Sequence, residues 1–397
     1  MPLHVLIHCL LLLLLGYTCF THAADLANPR PAHCHKERLR QALEQYSQMM
    51  AQGGWPILPA GPTLRPGDAD MSILLLRIRL QVTGDLLVSA STPDRTFFDD
   101  ALAGAVRRFQ HRHGLVEDGM VGPATRTALQ VPIEDRIHQL IRNLDRWREL
   151  PHDLGPRYLW VNIPAFTLEV VEPHQVVMTM RVVVGKPSWP TPVLRAQLSA
   201  LVFNPFWDIP PRIVEQEVMP RLQRDPAYLT THHMTLLQGD GDQTIEIAPD
   251  TVDWSQVPGH GIPYRIRQQP GPTNPLGRVK FIMPNPLHIT LHDTPSRARF
   301  AKTVRTQSHG CIRLEKPIAL AEYLLREDPQ WTRAAILDTI NRGTPQRVTL
   351  PHPMPVYLVY HTAWVDQDGE VHFRPDIYER DAPLRVAPHA GQPTGCG

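Results

Sequence analysis

The stretches His292-Asp293-Thr294-Pro295 and Ser308-His309-Gly310-Cys311-Ile312-Arg313 place one cysteine close to two histidines. A thiol reacts as its thiolate, so a catalytic cysteine needs a base and backbone donors for the oxyanion that it creates. This part of the chain can supply both. It is therefore the candidate catalytic site.

The neighbouring residues indicate how the site is presented. Residues 287–291 alternate in polarity, which predicts a strand that ends at His292. Gly310 allows the backbone to approach a substrate, and the amides of Gly310 and Cys311 are expected to face the oxyanion. Pro317 is typical of the first turn of a helix, and a helix is predicted to follow the site.

Two other interpretations fit the same residues. Zinc could be bound by His292, His309 and Cys311, but no fourth ligand lies at short spacing, so no metal site is predicted. A buried, inert cysteine is the commonest state of this residue type. The residues alone also leave the roles of the two histidines interchangeable.

In order and spacing, these residues resemble the signature of the L,D-transpeptidase (YkuD-like) catalytic domain. That signature is a histidine, a gap of about sixteen residues, and then Ser/Thr-His-Gly-Cys-apolar-Arg/Asn, and it falls in register here. Residues 274–281 and 376–378 further resemble the large periplasmic YcbB-like branch of the family. One departure is Thr290, which stands where that branch often has tyrosine.

The resemblance implies that Cys311 is the nucleophile and His292 its base, with the other ring nitrogen of His292 held by a backbone carbonyl near Asp293. His309 is expected to line and shape the site. The remaining expected roles are support of the loop and the oxyanion by Ser308 and Gly310, and substrate contacts by Ser308, Arg313, Asp293 and Trp207.

The implied reaction is acyl transfer on peptidoglycan stem peptides, without a cofactor. Cys311 would displace the terminal D-Ala of a tetrapeptide stem, and an amine of a second stem would then take the acyl group. The sequence leaves the acceptor open between a second stem, water and a protein lysine. A non-catalytic peptidoglycan-binding protein would not need the complete Cys311/His292/His309 set. A papain-type protease would have the opposite order of Cys and His.

Composition limits the partners. The chain has 397 residues, of which 42% are hydrophobic and 20% charged, and a formal net charge of +1. Because phosphate binding normally needs a basic face, nucleic acid is not an expected partner. The expected partners are stem peptides and glycan, and other wall-synthesis enzymes are left open.

The first 24 residues resemble a cleaved secretory signal peptide, which predicts a periplasmic protein that is at most peripheral to the membrane. Their apolar core is shorter than the roughly twenty residues that span a bilayer. Cleavage would remove Cys9 and Cys19. It would leave Cys311 together with Cys34 and Cys396, for which a disulfide is hypothesised.

The predicted fold class is α+β and multidomain, with a small three-helix module, a β-rich catalytic domain and a capping insertion. Residues 71–130 resemble a peptidoglycan-binding domain through Phe109-Gln110, Gly114-Leu115, Asp118-Gly119, Val121-Gly122 and Thr125. A linking helix is predicted with the apolar stripe Ile137, Leu140, Ile141, Leu144 and Trp147. The expected units are a helical scaffold at 25–70, the binding module at 71–130, the linking helix at 131–156, the catalytic domain at 157–350 with the insertion at about 208–270, and a strand and tail at 351–397.

Overall fold

The computed structural model describes residues 31–87, 94–173, 175–225, 227–239, 243–254, 256–257 and 262–381. The predicted signal peptide and Cys396, one half of the hypothesised disulfide, lie outside these residues. No helix in the described ranges is both long enough and apolar enough to cross a bilayer. The predicted fold class is confirmed, because a helical region precedes a β-rich domain with a closed sheet.

The helices that precede the first strand are α1 (Pro31–Ala51), α2 (Met71–Val82), α3 (Asp100–Arg112), α4 (Pro123–Leu129) and α5 (Ile133–Arg148). Of these, α2, α3 and α4 form the small module. Asp70 and Asp99 cap α2 and α3 by accepting hydrogen bonds from Ser72 N and Leu102 N. The module encloses its own apolar core, which includes Ile73, Leu76, Leu80, Phe98, Leu102, Val106, Phe109 and Leu129.

The buried side chain of Gln110 joins α3 to the turn before α4. Its Nε2 lies 2.7 Å from Asp118 Oδ1 and 3.0 Å from Thr125 Oγ1, and its Oε1 accepts a 2.9 Å hydrogen bond from Gly119 N. Gln110 is 1% exposed. These bonds explain why Phe-Gln, Asp-Gly and Thr occur together in the motif, since one amide on α3 satisfies polar groups on the turn and on α4.

α5 docks the helical region onto the β domain, but its buried stripe differs from the predicted one. Leu140 and Trp147 are buried as predicted, whereas Ile141 is 40% exposed. Asn143 is fully buried, donates a 2.7 Å hydrogen bond to Thr362 Oγ1 and accepts one of 2.9 Å from Thr362 N. The apolar pattern missed this polar contact, because buried amides that find partners on another element are invisible to hydrophobic periodicity.

The β domain is built on a sheet that has nine strands among the described residues: β1 (Tyr158–Asn162), β2 (Thr167–Glu172), β3 (Gln175–Gly185), β4 (Leu194–Phe203), β9 (Val279–Ile282), β10 (Leu291–His292), β11 (Thr306–Ser308), β12 (Ile312–Leu314) and β13 (Gln346–Val359). Their order in the sheet is β11-β3-β12-β10-β9-β4-β13-β1-β2, and pairing of β2 with β3 closes the sheet into a barrel. Helices α9 (Pro317–Leu325) and α10 (Arg333–Asn341) pack on the barrel core, and β14 (Ala363–Val365) and β15 (Val371–Phe373) form a hairpin. The expected boundary at residue 350 falls inside β13, so the barrel continues to Val359.

Between β4 and β9 the chain forms a separate layer, which we call the cap. Its strands are β5 (Trp207–Asp208), β6 (Met234–Gln238), β7 (Ile245–Ile247) and β8 (Arg265–Gln268), and its helical segments are α6 (Pro211–Ile213), a π-helical turn (Val214–Val218), α7 (Met219–Leu222) and α8 (Tyr228–Thr231). The buried Asn274 donates from Nδ2 to Pro205 O (3.0 Å) and to Gln269 O (3.2 Å). This amide therefore ties together the two chain segments that enter and leave the cap.

Two histidines, the buried His361 and the half-buried His35, lie where the helices meet the barrel. The His361 ring centroid lies 4.7 Å from that of Trp147, and the His35 ring stacks on Trp147 with the centroids 4.9 Å apart. Burial, and secondarily the charge of Arg146, lowers the pKa of His361 to about 3. Burial also lowers the pKa of His35 to about 4. Both rings are therefore neutral in the folded protein at neutral pH.

Replacing Gln110 with alanine should destabilise the module, because Gly119 N and Thr125 lose a buried partner and a cavity forms. We expect the free energy of unfolding to fall by about 2–4 kcal/mol in urea denaturation. The control is Gln45→Ala on the exposed side of α1, which should change it by less than about 0.5 kcal/mol. Equal effects of the two substitutions would contradict the role given to Gln110.

Acid should destabilise the contact between the helices and the barrel. The unfolded chain protonates His361 near pH 6.5 and the folded chain only near pH 3, so the unfolded state binds more protons in this window and stability falls as pH falls. Each such histidine contributes up to about 1.4 kcal/mol per pH unit to the slope of the free energy of unfolding against pH. When the free energy of unfolding is measured in urea between about pH 7 and about pH 5, it should change less steeply with pH for His361→Asn than for wild type. The exposed-site control, His152→Asn, should keep the wild-type slope.

Candidate active site

The loop between β11 and β12 presents Cys311. Gly310 has φ of +106°, in the left-handed region that favours glycine. Its amide donates a 3.1 Å hydrogen bond to Ser308 Oγ, and Ser308 Oγ donates one of 2.5 Å to the carbonyl of Cys311. The buried hydroxyl of Ser308 therefore closes the loop into a tight turn.

A second buried hydroxyl holds the same loop from the β3–β4 side. Thr191 Oγ1 donates to Gly310 O at 2.8 Å and accepts from Gly185 N at 2.8 Å. Tyr378, near the end of the described chain, donates from its hydroxyl to Gly185 O at 2.6 Å. Thr191 is 0% exposed, so water does not compete for these bonds. The site residues predicted from the sequence did not include Thr191 or Tyr378.

The Cys311 thiol is partly exposed and has polar neighbours on the preceding loop. Thr290 Oγ1 lies 3.7 Å from Sγ, and the carbonyl of His288 lies 3.9 Å from it. The amide of Cys311 has no hydrogen-bond partner within the described chain. The Gly310 amide, in contrast, is occupied by Ser308. Of the two amides that were predicted to face an oxyanion, only that of Cys311 is therefore left without a partner in the described chain.

The loop that carries Thr290 is not the predicted strand. β10 is limited to Leu291–His292, and His288 adopts φ of +53°. The Asn285 side chain holds this loop by donating to Ile289 O at 2.8 Å and accepting from Ile289 N at 3.1 Å. Local capping by asparagine thus overrides the alternating pattern of residues 287–291.

His292 is buried at the end of β10, where its backbone lies beside Arg313 of β12. Its Nδ1 lies 2.5 Å from the carbonyl of Asp293, which requires a proton on Nδ1 and leaves a lone pair on Nε2. Burial first, and then the charge of Arg313, lowers the pKa of His292 to about 3. The ring is therefore a neutral imidazole with Nε2 free to accept a proton. No hydrogen bond joins it to Cys311 within the described residues.

The side chain of Asp293, which was expected to contact the substrate, is bonded within the protein scaffold. Its carboxylate accepts from Arg278 N at 3.0 Å through Oδ2 and pairs with Arg297 at 3.3 Å through Oδ1. The aspartate is 3% exposed, and a Cβ at Gly277 would lie 2.6 Å from its carboxyl group. Asp293 is therefore a buried scaffold residue that fixes the chain on either side of His292.

Arg313 carries an uncompensated positive charge beside the site. Its buried Nε has no hydrogen-bond partner, and none of the described carboxylates forms a salt bridge with it. Burial, with repulsion from Arg299, lowers its pKa to about 10, so the guanidinium remains charged at neutral pH. Arg313 is half-buried, and an anionic ligand would give its buried Nε a partner and compensate its charge.

His309 faces the cap and not the thiol. Its Nε2 lies 2.6 Å from Glu217 Oε1, on the π-helical turn of the cap, and 3.4 Å from Lys186 Nζ. Trp189 packs edge-on against the His309 ring, with the centroids 4.9 Å apart. Sequence reasoning missed Glu217, Lys186 and Trp189, and the π-helical turn that positions Glu217 has no sequence signature.

Trp207, predicted as a wall for the substrate, packs against the core of the cap and pairs with Gln268 across β5 and β8. Trp189 is the tryptophan that contacts the catalytic loop. The three possible zinc ligands Cys311, His292 and His309 do not lie within metal-ligand distance of one another in the described part of the chain.

Comparison with known proteins agrees with this geometry. Residues 156–348 match the family described as "L,D-transpeptidase catalytic domain" (YkuD), and residues 72–129 match the "Putative peptidoglycan binding domain" family. A Haemophilus influenzae protein named "Putative L,D-transpeptidase" is 34% identical over 249 residues, which are 63% of this chain and 49% of that protein. The match thus spans about half the length of this curated relative.

Solved structures of L,D-transpeptidases are also similar to the chain. The enzyme from Stackebrandtia nassauensis is 14% identical over 76% of this chain and 97% of that chain, with a TM-score of 0.28. The L,D-transpeptidase from Xylanimonas cellulosilytica is 17% identical, over 76% of this chain and 99% of that chain, with a TM-score of 0.23. The assignment rests on the sequence matches: residues 156–348 belong to the L,D-transpeptidase catalytic domain family and follow a peptidoglycan-binding domain.

Proposed function

We propose that this protein is an extracytoplasmic L,D-transpeptidase that joins the third residues of two peptidoglycan stems through a thioester on Cys311. The observation that carries the proposal is the arrangement at the thiol. Cys311 lies at a rigid turn with its own amide unpaired among the described residues, and His292, which lies within the matched domain, keeps a free Nε2. The binding module makes peptidoglycan the expected partner.

In the first half-reaction, Sγ attacks the carbonyl between the third residue and the terminal D-Ala. The C–S bond forms, the C–N bond breaks, and the thiol proton passes through His292 Nε2 to the departing amine of D-Ala. In the second half-reaction, an acceptor amine attacks the thioester. The C–N bond forms, the C–S bond breaks, and the amine proton returns to sulfur.

The lowered pKa of His292 fits a transient role for its charged form. A buried imidazole of pKa about 3 does not hold a resting imidazolium, so the proton leaves sulfur as the substrate carbonyl is attacked. The fixed Nδ1–H···O=C contact with Asp293 keeps Nε2 as the acceptor throughout. The oxyanion accepts a hydrogen bond from the Cys311 amide. The Thr290 hydroxyl is close enough to Sγ to stabilise the negative charge that develops on sulfur.

Arg313 supplies the charge for substrate recognition. A donor stem brings a carboxylate on its terminal D-Ala, and a carboxylate is the group that an unpaired guanidinium binds most strongly. Binding would therefore relieve the cost of burying this cation. The charge also stabilises the thiolate as it develops.

Purified tetrapeptide-rich muropeptides, incubated with the protein and analysed by mass spectrometry, test the proposal. Wild type should give free D-Ala and dimers joined through third residues, and Cys311→Ser should give neither while keeping the wild-type unfolding transition. His292→Ala should reduce the rate of acylation by about 10²–10⁴-fold, and His309→Ala by much less. Product formation by Cys311→Ser, or the opposite histidine ranking, would contradict these roles. Tripeptides without dimers would indicate a carboxypeptidase.

The hydroxyl of Thr191 should matter for kcat. Thr191→Val keeps the shape of the side chain but removes the bonds to Gly310 O and Gly185 N, so the loop loses its fixed position. We expect kcat for D-Ala release to fall by about tenfold or more with a smaller change in KM. Thr179→Val, on the exposed part of β3, is the matched control and should leave both constants unchanged. A Thr191→Val effect confined to KM would contradict a role in positioning the nucleophile.

A further inference from the structure

A cluster of charged and aromatic side chains lies between the barrel and the cap, and the acylation chemistry described above does not use it. Lys186, Trp189 and His309 come from the barrel loops, and Arg212 and Glu217 come from the cap. The Arg212 guanidinium stacks 3.8 Å from the centroid of the Trp189 ring, and Lys186 Nζ lies 5.8 Å from the same centroid. The cluster begins two residues from Cys311.

The barrel half of this cluster is rigid. Lys186 N donates to Ser308 O at 3.0 Å, which joins its strand to the one leading into the catalytic loop, and Trp189 N donates to Lys186 O at 2.8 Å. A Cβ at Gly185 would lie 2.0 Å from Trp189 O, so the loop folds tightly over that glycine. Lys186 and His309 are therefore held side by side by the same strand pairing.

The charges have a defined arrangement. Glu217 accepts from His309 Nε2 at 2.6 Å, so that nitrogen carries a proton, and the Lys186 ammonium at 3.4 Å is a neighbouring charge and not its donor. Neither cation of the cluster forms a salt bridge within the described chain, since Lys186 and Arg212 contact only His309 and the Trp189 ring. The cluster thus contains one partly exposed carboxylate, that of Glu217, together with the cations Lys186 and Arg212.

We propose that this cluster binds the acceptor through a zwitterionic amino-acid end, in which an ammonium and a carboxylate share one carbon. Glu217 would take the ammonium, displacing His309, while Lys186 and Arg212 would take the carboxylate and Trp189 would form the floor. This inference rests on the proposed function and adds to it a separate acceptor site, distinct from the donor carboxylate site at Arg313. Glu217 is also placed to take the proton that the ammonium loses before it attacks the thioester.

The site selects acceptors by their carboxylate. A diamino acid whose distal centre carries both groups complements it, whereas a lysine side chain offers only the ammonium. The charge pattern therefore favours a stem with such a diamino acid over a protein lysine as the acceptor.

The full-length protein can be tested with a tetrapeptide donor and two small acceptors of equal size, D-methionine and D-methioninamide, which differ only in the carboxylate. Mass spectrometry of products gives the ratio of acyl transfer to hydrolysis, and release of D-Ala gives the rate of acylation separately. Wild type should use D-methionine at least about tenfold better than the amide. Lys186→Met and Arg212→Ala should each reduce that preference.

Glu217→Gln should lower the ratio of transfer to hydrolysis for both acceptors, by at least about tenfold more than it lowers D-Ala release. Glu246→Gln, an exposed carboxylate elsewhere in the cap, should match wild type in both measurements. Equal use of the two acceptors by wild type, or a parallel loss of transfer and D-Ala release in Glu217→Gln, would overturn the acceptor site. Absence of D-Ala release from wild type would instead overturn the proposed function itself.

Discussion

The left-handed backbone at Gly310 is the constraint on which the site depends. Ser308 holds the amide of this residue and Thr191 holds its carbonyl, so the peptide groups on either side cannot rotate. Cys311 is consequently presented with an amide that has no partner among the residues described. The buried hydroxyls can do this because β3 pairs with both β11 and β12, which brings the loop after β3 against the loop after β11.

Electrostatics divides the site into two sides. On the barrel side, burial keeps His292 neutral, and Arg313 lies beside it as a cation that pairs with no carboxylate of the described residues. On the cap side, Glu217 contributes a carboxylate near cations. The proposed reaction has two half-steps with different substrates and would need such a division, because the donor and the acceptor would bind beside one thiol without competing for the same charges. The cap has its own apolar core, and Asn274 joins the two chain segments at its base. The side of the site that the cap contributes is therefore built separately from the barrel.

Local patterns predicted much of this molecule. The burial of Leu140 and Trp147, the motif around Gln110 and the contact of His292 with the Asp293 carbonyl all depend on residues close in sequence or on a recognisable signature. The errors concern contacts between distant segments. Ile141 is exposed while Asn143 is buried against Thr362, the carboxylate of Asp293 bonds Arg278 and Arg297, and Trp207 packs against the core of the cap. Glu217 meets His309 across about ninety residues, and no spacing rule encodes such a contact.

The central claim is that Cys311 carries the acyl group between donor and acceptor. The most direct measurement is rapid acid quenching of wild type with a tetrapeptide donor, followed by intact mass analysis and peptide mapping. The account predicts a transient adduct of the tripeptide acyl group on the peptide that contains Cys311, which decays when an acceptor amine is added. Dimers formed without such an adduct, or an adduct on another residue, would contradict it.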